Sequence, residues 1–275
     1  MSNVYKYIFL FFIIFLIDIN SPLYGADNFK QQLGEHFVVY SDPAIDSQWA
    51  KDVLRKAERY YVAIANTVGY ARYQNFWTWD ERVKIIIYAD QKSYMEETHQ
   101  PSWSTGFVLR DYRLFSSRVI VSYLQESDFL TNVLPHEISH LILRDFIGTD
   151  KEIPLWLDEG LAQYFEDSRR SDAERIVKLL VGNQKQLPLS ELFTKDIKEE
   201  KEEWRVLQFY AQSISLVDFL ISKYGSQSFG ELCRYLKNDR DFEGALKGAY
   251  NPMIDSTQSL EQKWLNFIRN SLKKD

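Results

Sequence analysis

Two histidines and two glutamates stand at spacings that could do chemistry on a carbonyl. In Leu134-Pro135-His136-Glu137-Ile138-Ser139-His140-Leu141, His136 and His140 lie four positions apart. If this stretch is helical, both imidazoles share one face, a turn apart, and can bind one cation. Glu137 then stands beside that cation. A second stretch, Pro154-Leu155-Trp156-Leu157-Asp158-Glu159-Gly160-Leu161-Ala162, offers the carboxylate of Glu159 nineteen positions after His140. A hydrolytic zinc usually has three protein ligands and an open position for water. His136, His140 and Glu159 are the expected ligands, and the expected cofactor is one Zn2+. Zinc lowers the pKa of its water towards about 7, so a nearby carboxylate can take the proton as a carbonyl is attacked. Glu137 fits that role as general base, and the same carboxyl can return the proton to a leaving amine.

These residues resemble the gluzincin metallopeptidases, whose pattern is HExxH followed, after eighteen intervening residues, by a Glu on the next helix. Residues 141 to 158 make that interval here. Trp156-Leu157-Asp158-Glu159-Gly160 is similar to the WLxEG segment of the aminopeptidase N family. The bacterial peptidase MA-like group looks similar in two more respects: a short ββ segment before the motif, and a later Tyr-x-x-Ser helix ending in Tyr-Gly. Those residues are Tyr210-Ala211-Gln212-Ser213 and Tyr224-Gly225, so the likeness spans residues 35 to 225 or so.

The resemblance implies an α+β fold of gluzincin type: a small mixed β-sheet with flanking helices, then a mainly α-helical lobe, with the zinc site in the cleft between. It implies a peptide or protein substrate, and an edge strand ahead of the motif that pairs with extended substrate. It also implies an oxyanion donor on a later helix, for which Tyr210, fifty-one positions after Glu159, is the candidate. The alternative for Tyr210 is core packing. Two departures matter. Thermolysin-like enzymes carry an Asp one turn after the Glu ligand, where this chain has Gln163. Aminopeptidase N relatives hold the substrate's amino terminus with Gly-x-Met-x-Asn, and no such segment precedes His136. Endopeptidase is therefore the reading over aminopeptidase. The alternatives are a catalytically weak zinc-binding envelope protein and a zinc hydrolase of non-peptide amides. Asp158 is read as solvating the start of its helix, the other option being to orient a histidine.

The elements that must position these groups are legible in outline. His36 to Tyr40 reads as a strand leaving through Ser41-Asp42-Pro43. From Ala44 to Val68 apolar residues recur at three and four, which predicts a long helix closed by Gly69. Tyr70 to Trp79 is crowded with aromatics, read as packing in preference to a substrate platform. Arg82 to Ala89 is a central strand, Gln91 to His99 a short helix, and Gly106–Arg110 with Arg118–Ser122 a hairpin, with Trp103 and Phe107 as cleft-wall candidates. Proline inside a helix loses a hydrogen bond and clashes, at about 3 kcal/mol. Asn132 as N-cap would place Pro135 third in the helix, where its missing N–H costs nothing. That helix should run to Phe146 and stop at Gly148, and the next should begin at Pro154. Beyond Glu166 only helical patterns appear: Ala173–Val181, an entry at Pro188, about Lys201 to Tyr224, Phe229–Lys237 and Leu260–Leu272. The charged run Lys198 to Glu203 reads as a solvated face.

Composition sets the frame. With 275 residues, 45% of them hydrophobic and 15% aromatic, the chain can build a substantial core. A net charge of −6 without a Lys/Arg cluster excludes a nucleic-acid role of the usual electrostatic kind. The apolar run Ile8–Ile17, behind Lys6 and ahead of Asp18, reads as the core of a signal peptide and is short for a membrane span. Two readings follow: removal of residues 1–25, or an uncleaved anchor through residues 8–17. Export is common to both. The single cysteine, Cys233, excludes an intrachain disulfide and reads as core. The expected organisation is residues 1–25 as signal or anchor, 26–150 as an α/β lobe bearing the HExxH helix, and 151–275 as a helical lobe with the third ligand.

Overall fold

The computed structural model describes residues 28–70, 77–78, 81–101, 104, 106–111, 117–124, 128–197 and 200–272. The apolar run Ile8–Ile17, Trp103, most of the aromatic cluster after Tyr70 and part of the charged run at Lys198 lie outside these residues, as does the side chain of Phe107. Within them the fold is mixed α+β. Contacts group the chain into two compact units, Met1–Val62 with Gln74–Ile138, and Ala63–Tyr73 with Ser139–Asp275.

The first unit holds a five-stranded sheet of order β1-β2-β3-β5-β4. Its strands are β1 (Lys30–Leu33), β2 (Phe37–Ser41), β3 (Val83–Tyr88), β4 (Gly106–Asp111) and β5 (Ser117–Tyr123). β2, β3 and β5 run parallel, while β1 and β4 are antiparallel edges. The parallel centre is where a strand buried on both faces belongs, and β3 shows it in its sequence: Val83, Ile85, Ile86 and Ile87 are wholly buried. Helix α1 (Ser47–Val68) carries the predicted stripe, with Val53, Ala57, Ile64 and Val68 fully buried. Helix α2 (Gln91–Thr98) starts at a capping box formed by Asp90 and Ser93. β1 is an addition to the expected elements; its short, largely exposed Lys30-Gln31-Gln32-Leu33 has no apolar alternation to announce it.

The second unit is helical. After α3 (Leu134–Ile147), whose first residues belong to the sheet unit, come α4 (Leu155–Tyr164), α5 (Arg169–Gly182), α6 (Leu189–Thr194), α7 (Glu203–Lys237), α8 (Phe242–Tyr250) and α9 (Thr257–Leu272). Helix α7 joins the two segments expected separately. Its backbone breaks at Gly225, φ 84° and ψ 155°, directly after Tyr224, a conformation that favours glycine. Helix α8 was not expected; Asp241 caps it, its side chain accepting from the Gly244 N–H at 2.7 Å.

Candidate metal centre

The entry to α3 corrects one expectation. Asn132 is not an N-cap: it lies inside a wide π turn, Phe129–Val133, that leads straight into the helix. Its backbone N–H donates to Asp128 O at 2.9 Å. The physical reason is Pro135. In the π turn the bonds reach back five residues: Val133 N–H donates to Asp128 O and Leu134 N–H to Phe129 O. In that register Pro135 stands opposite the carbonyl of Leu130, and the Tyr60 hydroxyl donates to that carbonyl at 3.0 Å. A side chain from α1 thus replaces the N–H that proline lacks.

Beyond this turn α3 presents His136, Glu137 and His140. All three are buried, as are Asp158 and Glu159 on α4, with exposures of 1–4%. One ligand atom from each of His136, His140 and Glu159 can be chosen so that all lie within 4.8 Å of one another. His140 Nε2 is 3.9 Å from Glu159 Oε1. That is too long for a hydrogen bond, whereas two ligands of one tetrahedral zinc stand about 3.4 Å apart. The donor set suits zinc, and a buried carboxylate facing imidazole nitrogens favours a cation that offsets its charge.

The tautomer of His140 follows from its other nitrogen. His140 Nδ1 lies 2.7 Å from Asp158 Oδ1, and the second oxygen, Oδ2, accepts from the Arg144 guanidinium. Burial alone would raise the Asp158 carboxyl, but His140 and Arg144 together hold it well below the usual carboxylate range. An ionised carboxylate only accepts, so Nδ1 carries a proton, and in the neutral ring Nε2, on the side of Glu159, holds the lone pair that a metal would take. Asp158 therefore does not solvate the helix start. It is drawn inside because two donors converge on it.

The rest of the Trp156–Gly160 segment explains how Glu159 is held. Trp156 is fully buried, stacked on Phe193 at 4.9 Å and edge-on to Phe242 at 5.4 Å, so it anchors α4 to α6 and α8. Gly160 faces α7: a Cβ there would stand 2.7 Å from the carbonyl oxygen of Ser213. The two short motifs are thus the two sides of one close helix contact. One turn before Ser213 is Tyr210, whose phenol is pushed well above its ordinary value of 10.0 by burial, then by the charge of Glu159, with Arg169 opposing and Glu166 adding. It stays a protonated donor at neutral pH. The charge of Glu159 is therefore felt at the Tyr210 phenol. Gln163 is buried at 9%.

Two neighbours were missed by sequence reasoning. Arg144 follows His140 by four residues on the same helix, a spacing that could have drawn attention to it. Tyr94 on α2 had no such signal. It is wholly buried, its hydroxyl 2.7 Å from Ser104 Oγ, and its phenol is raised by burial and by the charge of Glu137. Gly106, which opens β4, packs against Val133; a Cβ there would meet Val133 Cγ1 at 2.9 Å. The expected hairpin strand is therefore an edge strand, and its first residue touches the turn that leads to His136.

Two histidines and a glutamate gathered from consecutive helices make a ligand set that could hold a metal ion. The chain belongs to the Peptidase MA superfamily, whose family model matches residues 74–270. It is also similar to the uncharacterized protein YhcO of Bacillus subtilis (strain 168), at 25% identity over 164 residues. That stretch covers 59% of this chain and 48% of YhcO, so the chain spans about half the length of this relative.

Proposed function

We propose that this protein is an exported, zinc-dependent metallopeptidase that cuts within peptide chains. The observation that carries the reading is the buried convergence of His136, His140 and Glu159, with Glu137 on the same helix turn. His136, His140 and Glu159 would hold one zinc ion. Bound zinc would supply Lewis acidity, activating water near neutral pH and polarising the scissile carbonyl. Glu137 takes the proton of the attacking water and passes it to the departing amine. Tyr210, kept protonated, donates a hydrogen bond to the oxygen on which negative charge develops. Asp158 keeps the proton of His140 on Nδ1. Among the described residues β4 has no strand paired on its outer side, and along that side an extended peptide could add as a further strand. Cutting within chains follows from the lack of an amino-terminus-binding segment before His136.

The test pairs metal analysis with peptide-library cleavage by wild type and Glu137→Ala. Stoichiometric zinc in both, and internal cleavage by wild type alone, is expected. Zinc without any difference in cleavage would leave a binding protein. Silence on peptides with Glu137-dependent turnover of other amides would move the reading to a non-peptide hydrolase. For export the support is the apolar run Ile8–Ile17, behind Lys6 and ahead of Asp18. Fractionation of cells expressing the full chain, with amino-terminal sequencing of the product, tests it; a purely cytoplasmic product with an intact terminus sinks it.

A further inference from the structure

We propose that Asp158 and Arg144 form a positioning pair that sets how tightly His140 holds zinc, a proposal that rests on the zinc reading above. Helix α3 carries His136, His140 and Arg144 at four-residue steps, one stripe along its length. Asp158 stands on α4 immediately before the third ligand, Glu159, and is 1% exposed. Its two oxygens have separate tasks: Oδ1 lies 2.7 Å from His140 Nδ1, and Oδ2 accepts from Arg144.

Two consequences follow from that division. With Oδ1 alone engaged, the carboxylate could turn about its own bond and the imidazole could swing with it. With Oδ2 fixed by Arg144, the carboxylate plane is set and so is the plane of the His140 ring. The Nε2 lone pair then stays aimed towards Glu159, 3.9 Å away, without zinc having to organise it. The second consequence concerns the backbone. Asp158 ties the first turn of α4 to α3, and Glu159 is the next residue, so the third ligand cannot withdraw without breaking both bonds to Asp158. Arg144 also supplies the positive charge that lets a carboxylate sit this deeply.

A pair that only stabilised the fold would alter melting and leave metal affinity untouched. The experiment therefore measures zinc dissociation constants by chelator competition, with melting of the metal-free proteins alongside. It uses full-length wild type, Asp158→Asn, Arg144→Met, Arg144→Lys and the ligand control His136→Ala, and records absorption spectra after Co2+ loading. Asp158→Asn is expected to weaken zinc by about 10- to 100-fold and to shift the Co2+ bands. Arg144 is one-third exposed where Asp158 is 1% exposed, so Arg144→Met disturbs packing less and tests the pair even if Asp158→Asn folds poorly. Arg144→Met should weaken zinc less than Asp158→Asn, and Arg144→Lys should recover most of the loss. Wild-type zinc affinity in both Asp158→Asn and Arg144→Met, while His136→Ala loses zinc, overturns the pair and leaves the zinc site standing. A wild type that binds no zinc overturns the pair together with the zinc reading.

Discussion

Two buried histidines of this protein each hold Nδ1 2.7 Å from a carboxylate, His36 from Glu58 and His140 from Asp158. Around His36 the far nitrogen, Nε2, lies 4.0 Å from Glu35 Oε1, a carboxylate exposed to solvent. The ring stacks on Tyr61 at 3.8 Å, and the other Glu58 oxygen accepts the backbone N–H of His36 at 2.9 Å. The result staples β2 to α1. Around His140 the far nitrogen looks instead towards Glu159, with His136 a turn away. A hydrogen-bonded histidine is thus no sign of chemistry in itself. What distinguishes the candidate metal centre is that a buried carboxylate and a second buried imidazole gather about the second nitrogen.

The strongest way to break this contrast is to remove each ring in turn. His140→Phe should abolish stoichiometric zinc, whereas His36→Phe should keep it and lose only stability; metal analysis of the purified variants decides, and zinc loss in both would erase the distinction. A smaller effect is expected one layer out. Tyr210→Phe should lower kcat by about 10²- to 10³-fold with zinc retained, as removal of an oxyanion donor does. An unchanged kcat would return Tyr210 to the core packing that its sequence also allowed.

The contrast also shows what the sequence could and could not reveal. The spacing His136–His140 is a statement about one helix, and the strands and helices that carry local periodicity, such as Val83–Tyr88 and Ser47–Val68, are written the same way. Asp158 was misread because its role depends on α3 and α4 meeting, which no local pattern encodes. The π turn escaped for a similar reason: Pro135 announces a conflict, but the resolution lies with Tyr60, seventy residues before the Leu130 carbonyl it bonds. Tyr94 is reached only through the fold, by way of α2 and Ser104.

The neighbourhood of the second nitrogen depends in turn on where α4 lies, and Gly160 fixes that. Gly160→Ala would drive a methyl into the Ser213 carbonyl, at a cost of about 1–3 kcal/mol, the range for overpacking. Zinc affinity should fall with it, because α4 carries Glu159. Gly182→Ala, where a Cβ meets nothing within 4 Å, is the matching control and should leave zinc unchanged and stability equal or slightly raised, Ala being the better helix former. Equal behaviour of the two variants in thermal melts and metal analysis would mean that the helix contact does not position the ligand.

The smallest effect belongs to the structural twin, and its sign is fixed by protons. Burial pushes the Glu58 carboxyl up, but the hydrogen bonds from the ring and backbone N–H of His36 outweigh this and leave it below its ordinary 4.5. A carboxyl with a depressed folded value contributes stability that is present above the unfolded value and lost as pH falls through the folded one. Glu58→Gln should therefore lower Tm most at pH values above 4.5, by about 2–4 °C for a contribution near 1 kcal/mol once partial exposure is allowed for. The gap between variant and wild type should close as the pH drops further below 4.5. Zinc content should not change at any pH at which wild type retains the metal. Should Glu58→Gln shed zinc while folded, the two histidine–carboxylate pairs would be coupled, and the separation of staple from metal centre would have to be abandoned.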